Sequence, residues 1–191
     1  MKLFQSMPFN NNFLGANSAK PIAGVCTKTA YSRPLAQAKV SMGMVAIGVP
    51  VKLTNKLTSA TSINAGKELA PNVLNIEAAT DSVDGFTVMS PNAVLEDGDS
   101  FPKYLENQIV HVAILGSGAE VYLPVSNDLI GKQVAKEELC WNSNDRKLEV
   151  GSTGLALGKV TILSQVVDGI YSYIENGVVK TEETPVVKIR L

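Results

Sequence analysis

The sequence predicts a mainly β protein, a β-rich domain preceded by an extended N-terminal arm. Three observations predict it. Short runs rich in Val, Ile, Leu, Tyr and Thr recur through the second half of the chain, and these residue types suit a pleated, half-buried surface. Asp-Gly, Asn-Gly and Gly-Ser-Gly steps separate several of those runs, supplying the positive φ that tight hairpins demand. No stretch carries the three-and-four spacing of apolar residues that marks a long amphipathic helix.

Residues 1–40 carry neither helical nor strand periodicity and mix Asn, Ser, Ala, Pro and Gly with isolated aromatics. This composition reads as an arm. Phe4, Phe9, Phe13 and Tyr31 have no periodic partners with which to build a core, so they are candidates for burial against another chain. From Gly43 the character changes. Met44 to Leu53 is β-branched and broken by Gly48 and Pro50, which a strand tolerates at a bulge or edge. Between Thr58 and Ser82 any helix is short, because Pro71 stops the turn that Gly66-Lys67-Glu68-Leu69-Ala70 could begin. Gly85 to Met89 is a short strand, and Asp97-Gly98-Asp99-Ser100 is turn chemistry.

Beyond Pro102 the pattern sharpens. Ile109–Leu115 and Ala119–Val125 read as a hairpin closed by Gly116-Ser117-Gly118. Glu138–Trp141 and Lys147–Val150 read as a second, around Asn142-Ser143-Asn144-Asp145-Arg146. Four more strands are expected at Gly158–Val167, Ile170–Ile174, Val178–Thr181 and Val186–Leu191, with Asp168-Gly169 and Asn176-Gly177 as turns at the first two junctions. The division is therefore an arm over 1–40 and a β-rich domain over 41–191.

At 191 residues and 45% hydrophobic content, the chain can bury one sizeable core without disulfides or metals. Lys and Arg total 17 against 18 Asp and Glu, a formal charge of −1, so no basic footprint calls for nucleic acid or anionic lipid. Charged residues make up 18% of the chain, below the roughly 25% usual for soluble domains, which suits a protein in lasting contact with other subunits. No segment reaches the roughly 20 apolar residues of a membrane span. The N-terminal stretch lacks a signal peptide's apolar region, so synthesis in the cytoplasm is expected. Cys26 and Cys140 match no zinc or redox spacing and are expected to be free thiols.

Chemistry-bearing residues are sparse. His111, the single histidine, falls in a strand on the face of Ile109, Ala113 and Leu115. No nucleophile turn accompanies it, so it reads as a core or interface residue. Asp97-Gly98-Asp99 and Asn142-Ser143-Asn144-Asp145 cluster oxygen atoms without EF-hand spacing, so they read as turns with free side chains. Gly116-Ser117-Gly118 precedes a strand, not the helix N-terminus a phosphate loop needs. Trp141 reads as a core residue. The neighbouring pairs Glu137-Glu138 and Glu182-Glu183 point to opposite strand faces and read as solvated edges.

One ordered series stands out: Gly118-Ala119-Glu120-Val121-Tyr122-Leu123-Pro124-Val125, then Ile130-Gly131-Lys132, Leu139-Cys140-Trp141-Asn142, Arg146-Lys147-Leu148, Leu157-Gly158-Lys159-Val160 and Val187-Lys188-Ile189-Arg190-Leu191. Over roughly residues 105–191 it resembles the capsid decoration, or cement, proteins of tailed bacteriophages. In that family a strand and an Ile-Gly or Val-Gly step lead to an aromatic-Trp-Asp/Asn hairpin closing on Lys-Lys-Leu, a Gly-bearing strand and a terminal Val-Arg-Leu strand. Trp141, Asn142, Lys147, Leu148, Gly158, Arg190 and Leu191 hold those places. Cys140 stands where the family commonly has an aromatic, and Ser164–Pro185 adds a hairpin, so 164–185 is expected to be an insertion.

The resemblance implies a compact β-barrel or tulip-like domain, often trimeric, on the outside of the head at local three-fold positions. Its partner would be the major capsid protein, with no reaction, cofactor or metal, and its location the virion. A head-fibre or tail component is the structural alternative. A carbohydrate-binding β module, stacking sugars on Trp141, Tyr171 and Tyr173, is the alternative from another class.

Overall fold

A computed structural model describes residues 20–28, 35–54, 72–75, 82–129, 138–151 and 154–191. The protein is mainly β, as expected, and among the described residues the helical content is one 3-10 turn at Asn127–Leu129. The strands in chain order are β1 (Cys26–Lys28), β2 (Ala36–Val40), β3 (Met44–Val45), β4 (Pro50–Thr54), β5 (Asn72–Asn75), β6 (Gly85–Val88), β7 (Tyr104–Leu105), β8 (Ile109–Ile114), β9 (Glu120–Pro124), β10 (Glu138–Asn142), β11 (Lys147–Val150), β12 (Leu155–Lys159), β13 (Thr161–Ile162), β14 (Val167–Glu175) and β15 (Val178–Arg190).

A closed barrel runs in the order β2-β5-β4-β6-β8. All its pairings are antiparallel except β2 with β5. Alternation fills it: Ala38 and Val40 from β2, Val51 and Leu53 from β4, Val73 from β5, and Val110 and Val112 from β8 make one buried cluster. The short β3–β7 ribbon adds Val45 and Tyr104 to that cluster. The Tyr104 hydroxyl is satisfied by donating to the Val88 carbonyl, with Ser90 Oγ 3.1 Å away. Burial still pushes its ionisation up to about 12.

The other face of β6 and β8 belongs to a second core. Phe86, Val88 and Ala113 point away from the barrel interior and join Val121, Leu123, Leu139, Trp141, Leu148, Tyr171, Val187 and Ile189. These come from a five-stranded sheet, β1-β9-β15-β13 with β14 paired to β15, and from a three-stranded sheet, β11-β10-β12. One wall of the barrel is thus shared by two cores.

Several expectations are corrected. Strands β1 and β2 fall inside 1–40, so the arm does not extend to residue 40. The alternation in Ala36-Gln37-Ala38-Lys39-Val40 is carried partly by alanines, too small to register as a strand signal, yet Ala38 and Val40 are fully buried. The barrel is closed by residues between 36 and 114; the segment that resembles decoration proteins gives it only β8 and otherwise builds the two flanking sheets, to which β1 adds one strand.

Ile109–Leu115 and Ala119–Val125 are not a hairpin. Strand β8 pairs with β2 and β6, whereas β9 pairs with β1 and β15. Gly116-Ser117-Gly118 is a corner carrying the chain from barrel to sheet, with φ of 76° at Gly116 and 78° at Gly118. The Gly118 amide donates to the Leu191 carbonyl at 2.7 Å, tying this corner to the last strand.

The hairpin expected as an insertion at 164–185 is integral. The two strands expected at 178–181 and 186–191 are one, β15, which pairs with β14 along Val178–Val186 and with β9 along Val186–Arg190. Asp168-Gly169 is not a turn but lies inside β14. A Cβ on Gly169 would sit 2.7 Å from the Pro21 carbonyl oxygen and 2.4 Å from a Val186 methyl, so the glycine serves close approach. Asn176-Gly177 is the turn, with φ of 50° and 80° and Glu175 facing Val178, as a two-residue hairpin loop requires.

Candidate functional site

The β14–β15 hairpin is the element on which the rest of the molecule converges. Its tip reaches the loop 96–103, which begins beside the barrel. Lys103 is held there by a two-way backbone bridge to Val94, at 2.8 and 2.9 Å. The Lys103 side chain is only 3% exposed and its Nζ lies 2.9 Å from Glu96 Oε2 and 3.1 Å from Asp99 Oδ2. Nζ also donates to the Gly177 carbonyl at 3.1 Å, on the hairpin turn.

The Asp99 side chain is 1% exposed, and its carboxylate receives the Val179 amide at 2.8 Å and the Glu96 amide at 3.1 Å. The Ser100 amide completes the contact by donating to the Val179 carbonyl at 2.9 Å. Burial works to raise the Asp99 carboxyl, but the Val179 and Glu96 amides and the Lys103 ammonium outweigh it and hold it below its ordinary value. Burial likewise works to lower Lys103, and the Glu96 and Asp99 carboxylates outweigh it, so its ammonium persists above the usual range. The cluster is a polar latch between hairpin and loop.

A row of rings runs from the second core to the surface beside this hairpin. Phe86 meets Trp141 edge-on at 5.6 Å between centroids, and Trp141 meets Tyr171 edge-on at 6.4 Å. Tyr171 stacks on Tyr173 at 6.4 Å, and the Arg146 guanidinium covers Tyr173 at 4.2 Å from the ring centroid. Arg146 sits in the β10–β11 turn with φ of 56°, so this turn is pressed onto the hairpin by a cation–π contact. Trp141 and Tyr171 are 3% and 1% exposed, and burial drives the Tyr171 phenol far above its ordinary ionisation.

Of the residues singled out in the sequence, Phe4, Phe9, Phe13 and Tyr31 lie outside the described residues, as do Glu137, Ile130, Gly131 and Lys132. His111 lies on the outward face of β8, half-buried, with its Nε2 3.4 Å from Gln37 Nε2 on the neighbouring strand. Asp97 is exposed at its turn. Asp99 is not the free turn side chain expected, because Lys103 and two amides consume its carboxylate.

Asn142 organises the second turn. Its Oδ1 accepts the Asn144 and Asp145 amides at 3.0 and 3.2 Å, and its Nδ2 donates to Asp145 and Glu149. The oxygens of that loop are thereby committed to shaping it. Glu182 is half-buried opposite Tyr171, while Glu183 meets Lys20 at 2.5 Å on the exposed side. Cys26 is half-buried on β1, Cys140 is buried on β10, and no disulfide joins them.

Sequence reasoning missed the latch. Asp99 and Lys103 stand four apart, a spacing that signals a pair on a helix but carries no such meaning in a loop. Among the described residues no group of three His, Cys, Asp or Glu side chains is arranged to hold a metal ion. No described helix is long and apolar enough to cross a membrane. No family model, curated protein or solved structure matches the chain.

Proposed function

We propose that the chain is an auxiliary capsid protein. In this reading it is a decoration or cement protein that binds the outer face of a tailed phage's major capsid lattice as a homotrimer and stabilises the head, with no reaction and no cofactor. The observation that carries the reading is the ordered series from Gly118 to Leu191, with Trp141-Asn142 before Arg146-Lys147-Leu148 and a final Val187-Lys188-Ile189-Arg190-Leu191. A charged fraction of 18% and a net charge of −1 suit many modest contacts with protein neighbours, repeated by symmetry. Phe4, Phe9, Phe13 and Tyr31 would supply apolar anchors for a neighbouring subunit. A head-fibre or tail component would use the same parts on another lattice.

The carbohydrate alternative is disfavoured, since Trp141 and Tyr171 are buried in the core and half-buried Tyr173 is stacked on Tyr171 and covered by Arg146, whereas sugar stacking needs an exposed ring face. The direct test mixes the purified protein with undecorated capsids and sediments them. Co-sedimentation in fixed stoichiometry and a higher capsid melting temperature are expected. Protein left in the supernatant with unchanged capsid melting ends the proposal.

A further inference from the structure

We propose that Asn176-Gly177, at the tip of the β14–β15 hairpin, is a latent self-modification site gated by the Lys103 latch. The chemistry is intramolecular. The Gly177 backbone nitrogen, losing its proton to solvent, attacks the Asn176 side-chain carbonyl. A new C–N bond closes a five-membered imide, the bond to the side-chain nitrogen breaks, and ammonia leaves. Water then opens the imide at either carbonyl, giving an aspartyl or an isoaspartyl residue.

Asn-Gly is the step most open to this reaction, because glycine puts no side chain in the path of its own nitrogen. Both residues are exposed, so water reaches them. What restrains them is the fold. Positive φ at both residues and the pairing of Glu175 with Val178 fix the turn, whereas imide closure needs rotation about the Asn176 backbone to bring nitrogen onto the side-chain carbon.

That rotation must release the Gly177 carbonyl from Lys103 Nζ, 3.1 Å away. The next contacts along the strand, Val179 to Asp99 and Ser100, resist the same movement. Lys103 in turn is held by Asp99 and by Glu96, whose carboxylate is half exposed. Once formed, an isoaspartyl residue inserts an extra backbone carbon into a loop whose length sets the hairpin register. The turn can no longer present the Gly177 carbonyl to Lys103, so modification holds the latch open.

The test incubates the full-length protein at mildly alkaline pH and follows Asn176 by peptide mapping and mass spectrometry, with the urea-unfolded chain as reference. Conversion at Asn176 is expected in the unfolded chain and strong suppression in the folded one. Lys103→Met removes the bond to Gly177, and a charge-assisted bond of this kind corresponds to about tenfold faster conversion. Glu96→Gln keeps the buried pair and the fold but loosens Lys103, with about twofold acceleration expected; it decides the matter if Lys103→Met fails to fold. Equal rates in the folded wild type and the unfolded chain, or unchanged rates in a folded Glu96→Gln protein, overturn the proposal.

Discussion

Gly24 and Gly48 pass one another backbone to backbone, so closely that Gly24 has no room for a side chain and Gly48 very little. A Cβ on Gly24 would lie 2.5 Å from the Gly48 amide nitrogen, and one on Gly48 would lie 3.0 Å from the Ala23 carbonyl carbon. Both residues have positive φ, 80° and 81°. The crossing joins the two cores: the Gly24 amide donates to Tyr122 in the five-stranded sheet, and its carbonyl accepts from Met89 just after barrel strand β6. Gly24→Ala is expected to cost about 3 kcal/mol, from strained φ plus the clash. Gly43→Ala is the control, with φ of 70° but nothing within 4 Å of the new methyl, and should cost only about 1 kcal/mol. Urea unfolding of the two variants checks the difference.

Trp141 offers an intrinsic probe of the second core. Buried between Phe86 and Tyr171, it should emit at short wavelength, resist acrylamide quenching and leave its emission unchanged on adding simple sugars. Trp141→Ala should lose about 4 kcal/mol of stability through cavity formation and two broken edge contacts. Trp141→Phe keeps one ring and should lose less than half of that.

The latch has a defined pH dependence. The Asp99 carboxyl is held below its ordinary 3.8, so its contribution is present above that value and is lost as pH falls through the folded value. Lys103 is held above its ordinary 10.5, so its contribution is present below that value and is lost as pH rises through the folded one. The stability difference between wild type and Asp99→Asn should therefore be flat between the two limits and shrink in acid. Lys103→Met strands a buried carboxylate and should cost about 3 kcal/mol at neutral pH. Denaturant titrations across pH measure both.

Tyr104 supplies the alkaline counterpart. With ionisation raised from 10.0 to about 12, its neutral form stabilises the fold below pH 10, and that contribution is lost as pH climbs towards the folded value. Phenol absorbance titrated in the wild type and in Tyr104→Phe should differ by one late step, the one that buried Tyr104 contributes.

The proposed role makes its own demand on the N-terminal aromatics. Replacing Phe4, Phe9 and Phe13 together by alanine should weaken capsid binding at least tenfold, given the usual weight of buried aromatic anchors. The isolated protein's melting should stay unchanged. Co-sedimentation with undecorated capsids and calorimetry read the two outcomes separately.

The β class was legible because β-branched runs and turn residues are local signals. Pairing was not, because it depends on which edges meet. Asp168-Gly169 and Asn176-Gly177 carry the same hairpin signal, yet only the second is a turn. Pro21 and Val186 claim the space above Gly169, and nothing near Gly169 in sequence announces them. Likewise β8 and β9 look like a hairpin until Gly116-Ser117-Gly118 sends them to different sheets. At the candidate site, Trp141 was legible as a core residue. The latch was not, because Lys103 finds Gly177 only through the fold.

Strand β15 bears on how the chain can be made. It pairs with β14, β9 and β13, and Val187, Ile189 and Leu191 are buried in the second core. A nascent chain whose residues 178–191 are still inside the ribosome can pair the barrel strands and set Trp141 against Phe86, but Val121 and Leu123 on β9 then lack Ile189 and Val187 beside them. The second core must therefore mature after the barrel, with those apolar positions open to chaperones or to misassociation until β15 arrives.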